Sequence, residues 1–238
     1  MSRKKIILLK LTGELIEQTH AGLNADRIRS LGAQIKALMA DYTFAIVIGG
    51  GNFFRGAQQG NEVHISPQVS HYVGMLATMM NGLIIQDIFE QLGIHTSLFS
   101  ALDCPEIGLS ISAQEIRTAQ HNGHCMLFTG GTGNPYFTTD TNAVLRALQI
   151  NADQLWKGTK VDGIYTQDPH TNPDAQLLQK VSYTTALDQR LGIMDLEAFA
   201  LAQKHALSLR VFNIFTENAL LRAVADSTFG STISPTNE

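Results

Sequence analysis

Four stretches of the chain set small, flexible or charged residues where apolar runs end, a pattern suited to holding something anionic. "KLTGE" (10–14) puts Lys10 beside Thr12 and Gly13. Such a turn offers backbone N–H groups to phosphate oxygens while the ammonium neutralises charge between them, although alone it is also an ordinary surface turn. "GGGNFFRG" (49–56) holds three consecutive glycines, which cost chain entropy and pack no side chains. A bend needs fewer, so close approach of backbone to a ligand is expected, with Arg55 able to supply a guanidinium. In "TGGTGNPYFTTD" (129–140), Gly131 and Gly133 permit a tight backbone, and Thr132, Asn134, Thr138 and Thr139 offer uncharged donors. Asp140 falls near a helix start, where capping competes with a chemical role. "KGTKVDGIYTQDP" (157–169) mixes Lys157, Lys160, Tyr165 and Asp168. Turn chemistry explains its DG and DP pairs. A nucleotide-holding loop would instead use Tyr165 against a base, the lysines on phosphates and Asp168 on a sugar or amide. None of these spacings is G-x-G-x-x-G or G-x-x-x-x-G-K-[ST], which argues against a Rossmann dehydrogenase or a P-loop kinase.

The elements around these stretches are readable from periodicity. "KIILL" (5–9), "FAIVI" (44–48), "IHTSLF" (94–99), "HCMLFT" (124–129) and "SLRVF" (208–212) are apolar strand runs. Apolar positions Ile28, Leu31, Ile35, Leu38 and Met39 predict a helix with Asp26 as N-cap. Val73 to Ile88 predicts a second helix closed by Gly93, another starts near Asn142, and 187–206 reads as one late helix. Strands apolar throughout, alternating with amphipathic helices, imply an α/β fold with a mostly parallel sheet covered on both faces. The glycine-rich stretches then fall at the carboxyl edge of that sheet, where ligands bind in open α/β folds.

The totals narrow the function class. The 238 residues carry a formal net charge of -4, which argues against a partner such as a nucleic-acid backbone. Arg3, Lys4 and Lys5 read as a solvated strand start. Cys104 and Cys125 form no C-x-x-C pair, and His121, His124 and Cys125 lack a second ligand pair at zinc spacing, so no metal site is expected. Met75, Met79 and Met80 read as core filler. No uninterrupted apolar run approaches the roughly 20 residues of a membrane span, and no secretory leader is evident, so a cytoplasmic protein is expected.

Taken together, "KLTGE", "VIGGGNFFRG", "VGMLATMMNGL", "GTGNPYFTTDTNAVLRA", "TKVDGIYTQDP", "MDLEAFALA" and "RVFN" resemble the bacterial UMP kinase branch of the amino acid kinase superfamily, in order from about residue 5 to residue 233. The resemblance implies a three-layer α/β/α sandwich, a single domain over 1–238, and transfer of a phosphoryl group from ATP to UMP with Mg²⁺, in a homohexamer. It implies an acceptor site mainly in 1–150 and an ATP site mainly in 151–238. By that likeness Lys10, Leu11, Thr12, Gly13, Gly51 and Arg55 would serve the donor phosphates, and Thr159, Tyr165 and Asp168 the rest of ATP. Gly50, His71 and the run Thr132, Gly133, Asn134, Pro135, Tyr136, Phe137, Thr138 and Thr139 would hold UMP. Lys10, Arg55, Asp140 and Asp195 would be the catalytic set. Three positions depart from the pattern. Thr12 replaces a serine and keeps its hydroxyl, "FTENALLRAV" lacks a Lys-Pro-Gly, and His71 stands where the family has an aspartate on the UMP ribose. Neutral imidazole has one acceptor nitrogen where a carboxylate has two oxygens.

Two rivals frame that expectation. A carbamate or amino-acid carboxylate kinase of the same superfamily is disfavoured by the FTTD threonines and the Tyr136–Phe137 pair. A nucleotide-binding protein without turnover is disfavoured by Lys10, Arg55, Asp140 and Asp168 occurring together.

Overall fold

The computed structural model describes residues 3–18, 22–54, 60 and 64–234. The chain begins with β1 (Lys5–Leu11), a hairpin of β2 (Glu17–Gln18) and β3 (Gly22–Leu23), α1 (Ala25–Leu38) and β4 (Tyr42–Ile48). The long α2 (Pro67–Gln91) leads to β5 (Thr96–Ser100), β6 (Leu109–Ser110), α3 (Ala113–His121), β7 (Cys125–Thr129) and α4 (Thr139–Gln149). Then follow β8 (Gln154–Thr159), a hairpin of β9 (Ile164–Tyr165) and β10 (Leu177–Leu178), β11 (Lys180–Ser182), α5 (Tyr183–Asp188) and α6 (Leu196–Lys204). The last elements are β12 (Leu209–Asn213), α7 (Ala219–Ala225) and β13 (Ser231–Ser234).

Nine strands make one sheet in the order β11-β13-β12-β8-β1-β4-β7-β5-β6. Only the β12–β13 pairing is antiparallel, so β13 and β11 run against the rest. Side chains alternate across a strand, and β1 shows why its sequence is apolar without interruption. Leu8 packs into the core layer that includes Val47, Phe128, Val144 and Phe199. Ile7 and Leu9 pack on the opposite face with Ile28, Phe44, Phe89 and Phe212. Both layers are dry, and each fully buried Leu or Ile contributes about 1.5–3 kcal/mol. The α/β/α sandwich expected from the sequence is therefore what forms.

Helix boundaries differ from expectation in three places. The N-cap of α1 is Asn24, which accepts from Arg27 N at 3.0 Å, while Asp26 lies in the first turn and pairs with Arg29. Helix α4 starts before Asn142, because Thr138 caps it through Asp140 N and Thr141 N. The stretch 187–206 is not one helix: α5 stops at Asp188, Arg190 takes a φ of 52°, and Asp195 caps a new helix. A left-handed residue ends a helix turn, and an aspartate restarts one.

Helix α2 also departs from expectation: by length and composition it is apolar enough to cross a membrane, yet half of its apolar window is buried inside the fold. Met75 and Met79 are core, but Met80 joins Val69, Tyr72, Leu76 and Leu83 in an exposed stripe at helical spacing. At the chain start, Arg3 is not merely solvated, since it pairs with Asp153 at 2.5 Å.

Candidate active site

Strands β1 and β8 are neighbours in register, and that register brings Lys10 beside Lys157. Adjacent strands lie about 4.8 Å apart and residues in register point to the same face, so two ammonium groups meet. The first turn of α4 covers that face and inserts Asp140 between them. Its carboxylate takes Lys10 Nζ at 3.0 Å on Oδ1 and Lys157 Nζ at 2.6 Å on Oδ2. Lys157 also donates to the Ile193 carbonyl at 2.5 Å. These three side chains are only 13–14% exposed. Burial would raise the Asp140 carboxyl, but the flanking Lys10 and Lys157 charges win and hold it below its ordinary value. Burial pushes Lys157 down despite the raising effect of Asp140. Lys10 and Lys157 share Asp140, and the Asp195 carboxylate also acts on Lys157 in the raising direction.

Two cavities lie beside this centre: Lys157 is in the wall of the second, and Thr138 and Thr139, which precede Asp140, are in the wall of the first. The first, about 530 Å³, is lined by Gly50, Gly51, His71, Thr132, Asn134, Phe137, Thr138 and Thr139 among others. Of the residues expected at the acceptor site, Gly133, Pro135 and Tyr136 are not in its wall, although the Tyr136 ring lies 5.1 Å from that of His71. Gly51, expected on the donor side, lines this cavity instead. The second cavity, about 480 Å³, is lined by Lys157, Thr159, Tyr165 and Asp168 with the segment Arg190, Leu191, Gly192 and Ile193. Leu11 is fully buried, and its carbonyl accepts from Gly49 N at 2.9 Å, so its side chain serves the core. Thr12 caps a 3-10 turn over Gly13–Ile16. Arg55 lies outside the described residues.

The glycine run has a packing cause beside the one its sequence implies. A Cβ on Gly50 would sit 2.7 Å from both Ala77 Cβ and the Gly74 carbonyl, so glycine is needed there for α2 to pack against the turn. A Cβ on Gly13 would collide with Gly49 O and Gly51 N at 2.8 Å, which interlocks the first two glycine turns. Only Gly51 has open space beside it, as close approach of a ligand would require.

Several supporting residues carried no sequence signal. Asn81, fully buried on α2, donates to the Gly49 carbonyl at 2.8 Å and exchanges hydrogen bonds with Asn52. Thr78 accepts from Gly130 N at 2.9 Å. Asp195 faces helix ends rather than a cavity: its Oδ1 accepts from Ala198 N and Thr141 Oγ1, and its Oδ2 from Thr138 Oγ1. One oxygen of Asp168 is likewise engaged by His170 N at 2.9 Å. Of the two lysines left open by the sequence, Lys157 is the one at the centre, while Lys160 is 59% exposed and pairs with Glu14.

The amino acid kinase family matches residues 5–213. The chain belongs to that family. A uridylate kinase of Methylococcus capsulatus is 40% identical over 229 residues, 95% of each chain. A UMP kinase structure from Ureaplasma parvum superposes with a TM-score of 0.94 at 34% identity, covering 98% of this chain and 100% of that one. One from Bacillus anthracis gives 0.92 at 28% identity, covering 98% and 97%. These two UMP kinase structures thus share the fold described above over nearly its whole length.

Proposed function

We propose that the chain transfers the γ-phosphoryl group of ATP to UMP, giving ADP and UDP for pyrimidine nucleotide synthesis. The single observation carrying this reading is the buried Lys10–Asp140–Lys157 cluster beside two cavities, one walled in part by Lys157 and the other by Thr138 and Thr139, which precede Asp140. UMP would occupy the first cavity, built from residues before 150, and ATP the second, built from residues after 151. The names of the relatives support UMP as the accepting nucleotide.

The mechanism follows from charge. The UMP phosphate is already an anionic nucleophile at neutral pH, so no general base is required. The barrier is the approach of two polyanions, and phosphoryl transfer is mainly positioning and neutralisation of the equatorial oxygens. Lys10 and Lys157 flank Asp140, and their ammonium groups would neutralise phosphate oxygens there. Arg55 belongs to this proposal by its place in the glycine-rich stretch. Asp195 acts by tying Thr138 and Thr141 to the start of α6. Mg²⁺ fits as an ion carried by the nucleotide: among the described residues no three acidic, His or Cys side chains cluster, and Asp140 is held by lysines. Such an ion usually keeps waters and substrate phosphates as ligands, and it would neutralise phosphate oxygens.

The exposed stripe of α2 supports a homo-oligomer, with a hexamer as the specific form, and the proposed substrates place the enzyme in the cytoplasm. A coupled assay of ADP release with UMP, CMP, AMP and carboxylate acceptors tests the reaction. Preference for UMP is expected; silence with UMP removes the reading. Changing His71 to Asp is expected to lower the Michaelis constant for UMP, since His71 lines the first cavity.

A further inference from the structure

Arg146 is a cation that the chemistry above leaves unused. It is 4% exposed on α4, one turn beyond Asn142, which lines the first cavity. Residues four apart share a helix face, so Arg146 lies behind that wall. Its Nη2 donates to the Gly131 carbonyl at 3.1 Å and its Nη1 to Gln149 Oε1 at 2.6 Å. Its Nε has no hydrogen-bond partner among the described residues. None of the ion pairs among those residues includes it. Burial pushes its pKa down to about 10, which leaves it protonated at neutral pH. A buried charge without a counter-ion is costly to the fold, so a structural role alone explains it poorly.

The Gly131 carbonyl shows what Arg146 achieves. The peptide joining Gly131 to Thr132 is planar and trans, so its carbonyl and N–H point in opposite directions. Drawing the carbonyl back toward Arg146 aims the Thr132 N–H away from α4. Gly131 reaches this arrangement at a φ of 59°, a region costly to residues with a Cβ. Both residues line the first cavity.

We propose that Arg146 is a positioning residue for the acceptor, fixing the Gly131–Thr132 peptide so that its N–H donates to an oxygen of the nucleotide in the first cavity. Its charge also adds to the positive potential that draws an anion there. The proposal rests on that cavity being the acceptor site.

Steady-state kinetics of the full chain with UMP and ATP, for wild type, Arg146→Met and Arg146→Lys, test it. Misplacement of a binding group by about 1 Å can cost about 100-fold, so Arg146→Met is expected to raise the UMP Michaelis constant about 10- to 100-fold. The ATP constant should stay within about twofold, and Arg146→Lys should recover part of the loss. The rise in melting temperature given by UMP should shrink while that given by ATP persists. An unchanged UMP constant, or equal shifts in both constants, overturns the proposal. If Arg146→Met does not fold, Arg146→Lys carries the same test at smaller size, and absence of the split there overturns it. A wild type active on UMP with no split defeats Arg146 alone; a wild type silent with UMP defeats the acceptor reading and this inference with it.

Discussion

The two cavities are built by opposite means. The first is walled by the start of α4, a glycine turn and the inner face of α2, and its backbone is pinned from behind by buried side chains. Asn81 holds Gly49, Thr78 holds Gly130 and Arg146 holds Gly131. The second is walled by the end of β8, the two-residue strands β9 and β10, and the loop through Gly192. There the hairpin is held by a local bond, Thr166 Oγ1 accepting from Gln176 N at 3.0 Å near the surface, with Ile164 N tied further back to Ser231 Oγ at 2.7 Å. On the proposed reading, acceptor recognition is part of the core, whereas donor recognition rests more on turns that can adjust. Loops on a rigid scaffold open at lower free energy than core elements.

The centre between the cavities should give the largest effect. Lys157→Met removes a cation from the reacting phosphates, and loss of one such donor typically costs 10²–10³-fold in turnover. A fall of about that size in kcat, with both Michaelis constants little changed, is expected; a fall smaller than tenfold would break the idea that this lysine serves the transfer step.

Asp140→Asn comes next, because it leaves two buried lysines unmatched. Breaking a buried pair costs about 3–5 kcal/mol, and the slight exposure here favours the lower end. The sign with pH is fixed by the depressed folded-state value of Asp140. Its contribution is full above the ordinary aspartate value near about 4 and is lost as pH falls through the lower folded value. Melting curves of wild type and variant should therefore lie far apart at pH 7 and converge below about pH 4. A gap independent of pH would contradict the geometry.

Asn81→Leu and Thr166→Val sharpen the contrast between the two walls. The first strands a buried carbonyl and Asn52, at a cost of about 1–3 kcal/mol. The second alters an exposed hairpin and should stay within about 0.5 kcal/mol. Urea denaturation measures both, and equal losses would erase the difference between pinned and adjustable walls. The smallest effect belongs to Lys160→Met. Its exposed pair with Glu14 is worth at most about 1 kcal/mol, and the ATP Michaelis constant should barely move.

Much of this organisation was legible in the sequence. The strands announced themselves because both faces of the sheet are covered, so Ile7, Leu8 and Leu9 are all apolar. The glycine turns and the threonine run marked the rim because such residues cluster where backbone must be flexible. What escaped depends on partners distant in the chain. Asn81 and Gly49 are 32 residues apart, and a lone asparagine in an apolar helix gives no hint of which carbonyl it meets. Arg146 reads as a surface arginine until the turn at Gly131 folds against it. A packing reason for Gly50 escaped on the same ground: the atoms that exclude a side chain there belong to α2. The break within 187–206 escaped because the residues there are helix-compatible, and only the tie from Asp195 to Thr138 and Thr141 decides where α6 begins.

Helix α2 turns Met75 and Thr78 toward the first cavity and Leu76 and Met80 toward the outside. A helix with its side chains is only about 10–12 Å across. On the proposed reading, whatever rests on its outer flank sits one rod's width from the acceptor cavity, and a sideways nudge there reaches the bound nucleotide without crossing the sheet. Dilution, which strips neighbours away, should then be felt first as a loosened grip on the accepting nucleotide.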